Sequence, residues 1–438
     1  MIIIVSSFLI ILISLIALVI AKSYAIYKLE KDYDVIKSVI GDFRGSVVNY
    51  KYYIDDTEAT DMPSKDQYKY VSNSCDNANG TFDANDWSFK ISDATTRVVN
   101  CSITFTKINN LYELVKSQSL GLDTVVGLDY DKISSDSNGK GVYSTTNTDS
   151  GKEVYFYRGD VNNNNVLFGG FCWKIVRTTE TGGVKLIYNG VVNNGICNAE
   201  SKTIGNTYWN SLINDNTYVG YKYGNANATT YDSTHTNSYD TDIKKKVDEW
   251  YESNLINYSS YIEDSIYCND RTIVAGGDNN TWSNSYIITN GYGTTYSLYG
   301  FAKRGGLNTK ITIPTLKCAN KNDKFTVSSD IGNGALKYPI ALITADELVY
   351  AGATGSINVN GSTKFNKNYY LYNNESYWTM TPQTFSYYYK RIFMIAMFDT
   401  GKLNQCNNVS FGIRPVITLK NNTKITGKGM QGEPYIIE

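Results

Sequence analysis

ESYWTMTPQTFSYYYKRIFMIAMFDTGKLNQCNNVSFGIRPVITL, from Glu375 to Leu419, is the stretch whose reading decides the fold. It holds an aromatic strand ending in Thr381-Pro382, a run of tyrosines, an apolar strand from Ile392 to Phe398, a turn at Asp399 to Gly401 and a closing strand, FGIRPVITL. Short β-branched and aromatic runs bounded by Gly, Asn and Asp are the strand signal. YWTMTP and FGIRPVITL read as scaffold, with Trp378 in the core, Pro382 at an edge or turn, and Arg414 as a buried hydrogen-bond hub tying loops to the last strand. The part between them is the candidate recognition surface: Tyr387, Tyr388, Tyr389, Lys390, Asn404 and Asn407.

Outward from this block, the 438 residues leave room for two or three domains. Lys+Arg 41 against Asp+Glu 42 gives a net charge of −1, which supplies no excess to hold a phosphate backbone and argues against nucleic acid as a partner. The 38 tyrosines, with abundant Asn, Ser, Thr and Gly and only 6 prolines, suit half-buried strands joined by turn-rich loops. An AT-rich coding bias enriches the same residues.

Residues 1–21 are apolar and uncharged from Ile2 to Ala21, apart from Ser6, Ser7 and Ser14, which predicts a membrane-spanning anchor in competition with a cleaved signal segment. Lys22, Lys28 and Lys31 after it favour a cytoplasmic bulk by the positive-inside rule, whereas the cysteines favour export. The reading adopted is a cell-membrane protein with its bulk outside. Residues 22–43 carry helical spacing and are expected to form a stalk helix; residues 44–107 alternate strand-like runs with turns, a small β domain. Residues 108–152 read as a linker with one short helix, residues 153–420 as the main domain, and 421–438 as a tail. Within the main domain, EVYFYRGDV and VLFGGFCWKIVRT are expected to form a hairpin about Asn162 to Asn165. Short helices are expected around Trp209 to Ile213, over Asp242 to Leu255, and after Thr344 as cap. Helices and strands without a βαβ rhythm predict an α+β fold.

Two resemblances follow from these segments. Met62, Pro63, Ser64, Lys65, Cys75, Trp87 and Cys101 resemble a small module of Firmicutes surface proteins, which implies location. YFYRGDVNNNNVLFGGFCWKIVRTTETGGVKLIYNG, IGNTYWNS, ALKYPIALITADELVYAG, YWTMTP and FGIRPVITLK resemble extracellular domains of unassigned activity in Firmicutes and Mollicutes-related gut bacteria, over about Glu153 to Lys420. Through Trp378, Gly412 and Arg414 the closing block is similar in layout to the formylglycine-generating-enzyme and C-type-lectin-like folds, which implies a fold and no particular activity.

Seven cysteines occur without a Cys-x-x-Cys pair. Their order makes Cys75 with Cys101, Cys172 with Cys197 and Cys268 with Cys318 economical and leaves Cys406 over, although sequence leaves connectivity open. His235 is the single histidine and sits in a Ser-Thr-His-Thr-Asn loop without a nucleophile elbow, so histidine-based catalysis has one candidate base and histidine-rich zinc sites are excluded. No metal or cofactor is expected. The leading expectation is a non-catalytic surface protein that binds glycan or protein through its Tyr- and Asn-rich loops. The alternatives are an extracellular hydrolase or oxidase using paired carboxylates or an exposed Cys406, and a structural envelope component.

Overall fold

The computed structural model describes residues 47–438 except 66, 85, 131, 133, 135–138, 275–290, 305–312, 355, 356, 360 and 361. The membrane segment expected over 1–21 and the stalk helix over 22–43 lie outside the described residues. Among those described, no helix is long and apolar enough to cross a membrane. The chain divides into two units, Met1–Ile108 and Asn109–Glu438.

In the first unit, β1 (Val47–Ile54), β2 (Thr57–Ala59), β3 (Tyr68–Cys75) and β6 (Val98–Lys107) form a sheet in the order β2-β1-β6-β3, beside a hairpin of β4 (Asn79–Asp83) and β5 (Ser88–Ser92). Alternation decides β6: Val99, Cys101, Ile103 and Phe105 point inward and, with Phe89, make the core. The β1–β2 turn is tight because Asp55 and Asp56 both take positive φ, the geometry that matches strand twist in two-residue hairpins. Cys75 and Cys101 face each other across β3 and β6 and are disulfide-bonded. With so few buried side chains, that bond, worth about 2–4 kcal/mol, is a large part of the unit's stability.

The second unit contains β7 (Ser119–Leu122), β8 (Gly141–Thr145), β9 (Val154–Arg158), β10 (Asn165–Phe168), β11 (Phe171–Thr178), β12 (Val184–Val191), β13 (Ala341–Leu342), β14 (Tyr377–Ser386), β15 (Arg391–Met397), β16 (Leu403–Cys406), β17 (Phe411–Gly412), β18 (Pro415–Leu419), β19 (Ile425–Thr426) and β20 (Tyr435–Ile437). One sheet runs β13-β18-β12-β11-β10-β20-β19, with β7, β8 and β9 branching from β11. The other runs from Asn206–Thr207 through β17, β14 and β15 to β16, and Ser297–Leu298 pairs with β14. The closing stretch serves both sheets: β17 ends at Gly412 and β18 starts at Pro415, so Arg414 sits at the crossing. Three helices matter most, α1 (Leu111–Ser117), α2 (Asp242–Asn254) and α3 (Ala345–Ala351).

The α+β expectation, with a lectin-like or formylglycine-generating-enzyme-like C-terminal domain, is corrected: the chain is mostly β-sheet, 37% strand against 15% helix. Among the described residues only α2, at 13 residues, exceeds two turns. Helix nucleation is costly, so shorter segments persist only where tertiary contacts hold their ends. Trp209 to Ile213, expected as a helix, is irregular because its groups bond elsewhere: the Trp209 Nε1–H donates to Tyr218 O at 3.0 Å and the Ser211 N–H to Asp242 Oδ2 at 2.7 Å. α3 is buried along its whole length. Thr344 and Glu347 close a capping box at its start, and at its end the Arg158 Nη1 donates to the Val349 and Tyr350 carbonyls at 2.8 and 3.2 Å.

Other differences are local. The tight hairpin turns at Gly169 and Gly170, both at positive φ, instead of at Asn162 to Asn165. Residues 108–152, expected as a linker, carry α1, β7 and β8 and belong to the main sheet; the expected tail supplies β19 and β20, the latter parallel to β10. Pro382 sits inside β14 at a break in register, a position where its missing N–H costs no ladder bond.

Candidate functional site

The tyrosine run forms the four-residue tip of the β14–β15 hairpin, closed by the Ser386–Arg391 pair. Alternation ends there. Tyr387, Tyr388 and Tyr389 are 64%, 70% and 54% exposed, whereas tyrosines such as Tyr157, Tyr221, Tyr251 and Tyr377 are fully buried. Lys390 takes φ 49° and turns the chain back, the Tyr389 N–H donates to Ser386 Oγ at 3.2 Å, and the Arg391 Nε donates to Tyr389 O at 3.2 Å. Tyr388 and Tyr389 meet edge to face at 5.0 Å, and Tyr389 leans on Phe393 at 6.3 Å. These contacts hold a raised aromatic surface with polar tips.

The two asparagines divide. Asn404 pairs with Ala396 on β15, five residues from Arg391, which at about 3.3 Å per residue places it roughly 16 Å down the hairpin. Asn407 follows β16 directly after the Met394–Cys406 pair, which lies three residues below Arg391, and is next to exposed Asn408 and Val409. The structure therefore groups Tyr387, Tyr388, Tyr389 and Lys390 at the tip, leaves Asn404 apart, and has Asn407 nearer the tip than Asn404 along the strand.

Below the tip lies the scaffold. Trp378 is 1% exposed, donates from Nε1 to Thr207 O at 2.8 Å, and packs on Trp209 and Phe411. Arg414 is fully buried; its Nε donates to Tyr188 O at 3.0 Å, Nη1 to Leu371 O at 2.9 Å and Nη2 to Asn189 Oδ1 at 3.2 Å, over the Tyr377 ring at 4.9 Å.

Sequence reasoning missed an interior ion cluster beside a cavity of about 150 Å³ at the start of α3. Glu347 Oε1 accepts from Arg177 Nε at 2.8 Å and Lys185 Nζ at 2.9 Å, and Oε2 from the Thr344 N–H at 2.9 Å. Burial pushes the Glu347 carboxyl up, but Lys185 and Arg177 outweigh it and hold the group at about 2. Burial, reinforced by Arg177, draws Lys185 down to about 8. Carboxylates around the cavity are engaged as well: Asp264 accepts from the Val327 and Ser328 N–H groups at 2.8 and 2.7 Å, and Asp346 from Thr315 N–H at 3.0 Å. Charges that satisfy each other this fully make a structural network better than a general acid and base.

The remaining chemical candidates are also enclosed. His235 is buried, stacked on Tyr231, with Nδ1 2.8 Å from Tyr231 O and Nε2 3.8 Å from Asp323 Oδ1. Burial, then the charge of Arg271, pulls it down to about 3, so it is neutral at physiological pH. Cys406, expected exposed if it served an oxidase, is buried, and burial pushes its thiol well above the usual range, away from the reactive thiolate. Cys172–Cys197 and Cys268–Cys318 are disulfides, as is Cys75–Cys101. Among the described residues no group of three or more His, Cys, Asp or Glu is placed to hold a metal. No protein-family model, curated protein or solved structure gives a significant match to the chain.

Proposed function

We propose that this chain is an exported recognition protein without catalytic activity that binds carbohydrate through the tip formed by Tyr387, Tyr388 and Tyr389, with Lys390 and Asn407 supplying polar contacts. The carrying observation is the exposure of three consecutive tyrosines on a hairpin whose strands bury Tyr377, Trp378 and Phe385. Rigid aromatic faces next to amide groups suit sugar rings, which present C–H faces and hydroxyl edges. Three disulfides support export, because such bonds persist in oxidising compartments. A glycan array and a protein array probed with the folded protein test the reading. Carbohydrate signal lost in a Tyr387→Ala/Tyr388→Ala/Tyr389→Ala variant with unchanged melting supports it. Signal confined to the protein array replaces carbohydrate by a protein ligand, and two blank arrays refute it.

A further inference from the structure

The cavity at the start of α3 carries more negative charge than its ion cluster uses. Seven carboxylates and three basic side chains line it; of the three, Arg177 and Lys185 are spent on Glu347 and Lys317 is exposed. Asp264 and Asp346 hold backbone N–H groups, and Asp270 accepts the Thr272 N–H at 3.2 Å. Asp149 accepts the Cys318 N–H at 2.9 Å and pairs with Lys324 at 2.8 Å. Two acids fall outside this network. Glu180 sits in the β11–β12 turn, which the Thr179 N–H closes onto Gly183 O at 2.8 Å, and its Oε1 accepts the Ser150 N–H at 2.7 Å. Glu263 is anchored beside β18 by its own N–H, donated to Thr418 O at 2.7 Å, and its Oε1 accepts the Thr181 hydroxyl. Among the described residues neither glutamate forms an ion pair with a basic side chain, and neither Oε2 accepts a hydrogen bond.

The seat of Glu263 is shaped around its carboxylate. A Cβ on Gly183 would come within 2.1 Å of Glu263 Oε2, so the glycine is what leaves that oxygen room. Burial is the largest influence on this carboxyl and raises its pKa, the Thr181 hydroxyl opposes it, and exposed Lys420 contributes least. A half-buried carboxylate without a counter-ion is costly, and a cation relieves that cost. Volume and walls select the kind of cation. A space of about 150 Å³ admits a molecule of about six non-hydrogen atoms, far more than a bare ion fills. Ile266, Leu316 and Ile331 give it carbon surface, and among the described residues no group of three or more His, Cys, Asp or Glu is placed to hold a metal.

We propose that this cavity binds a small primary ammonium compound, its –NH₃⁺ paired with the Glu263 carboxylate and its carbon chain along Ile266, Leu316 and Ile331, with Glu180 adding negative charge to the same wall. The inference stands apart from the carbohydrate reading. The test is saturation-transfer NMR on the full chain, disulfides intact, with n-butylammonium chloride as probe and n-butanol as its uncharged counterpart, ionic strength being held constant with sodium chloride. Butylammonium should bind saturably and about tenfold more tightly than butanol, the margin of one charge-assisted hydrogen bond. This comparison needs no variant, and equal binding of the two, or no binding, overturns the proposal. Glu263→Gln, which keeps the shape of the side chain, should weaken butylammonium about tenfold with melting unchanged. Unchanged affinity in that variant overturns the proposal. Displacement of the probe by calcium chloride, but not by sodium chloride of the same ionic strength, reassigns the site to a metal ion and overturns it too. Binding retained in the Tyr387→Ala/Tyr388→Ala/Tyr389→Ala variant supports the cavity; binding lost there places the cation on the exposed rings of the tip and overturns the proposal.

Discussion

Replacing Arg414 by alanine removes three hydrogen bonds from a fully buried guanidinium and leaves the Tyr188 and Leu371 carbonyls and the Asn189 amide oxygen without that donor. Each orphaned acceptor costs about 1–3 kcal/mol, and loss of the charge returns part of that by removing a desolvation penalty, so the net cost is about 3–5 kcal/mol. A unit the size of Asn109–Glu438 unfolds with an entropy of roughly 0.7 kcal/mol/K, at about 2 cal/mol/K per residue, so Tm should fall by about 4–7 °C. Calorimetry on the oxidised protein reads this directly. Arg414→Lys should recover only a minor part, because an ammonium cannot serve three divergent acceptors at once. An Arg414→Ala protein melting within about 1 °C of wild type would refute the hub assignment and the placement of Arg414 where the two sheets meet.

The Glu347 carboxyl, held at about 2 when folded against an ordinary value of 4.5, contributes stability that is complete above the ordinary value and is lost as pH falls through about 2. Urea midpoints from pH 5 down to 2 should show this limb, and Glu347→Gln should lower the midpoint at pH 7 while flattening the acid limb; an equally steep limb in the variant contradicts the triad. Among the disulfides of the second unit, Cys268–Cys318 closes a span of 50 residues against 25 for Cys172–Cys197, so its removal should cost about 0.6 kcal/mol more on loop entropy alone. Paired Cys-to-Ser variants compared by denaturant unfolding check the order, and the reverse order defeats the loop argument. Blocking reagents that modify native Cys406 as fast as a free thiol would contradict its burial; modification should appear only on unfolding.

What the sequence revealed was local. The cap expected at Thr344 forms at the start of α3, and Glu347 completes it as a capping box that the sequence reading did not name. The tyrosine run and the two strands beside it are adjacent in the chain, and the hairpin follows. Long-range pairing left no comparable trace. Nothing in Pro434-Tyr435-Ile436 announces a parallel partner at Val166 and Leu167, nor does the polar stretch before Glu153 announce β8 as the neighbour of β9. The α+β reading failed for a related reason: helical spacing over a few residues was counted as helix, whereas tertiary hydrogen bonds decide such short segments. The ion triad joins Glu347 to Arg177 and Lys185 across 162 residues or more, so none of it was visible in advance. Asn404 was grouped with the tip by proximity in sequence, but a strand of antiparallel register carries it away from there.

The measurement closest to the central claim is carbohydrate binding by wild type and by Tyr388→Ala, with melting recorded on the same samples. Tyr388 is 70% exposed and outside the core, so its truncation should leave Tm within about 1 °C while weakening binding by about 1–2 kcal/mol, roughly 5- to 30-fold. Unchanged affinity for a carbohydrate that the wild type binds would contradict the account, because recognition would then lie elsewhere on the molecule.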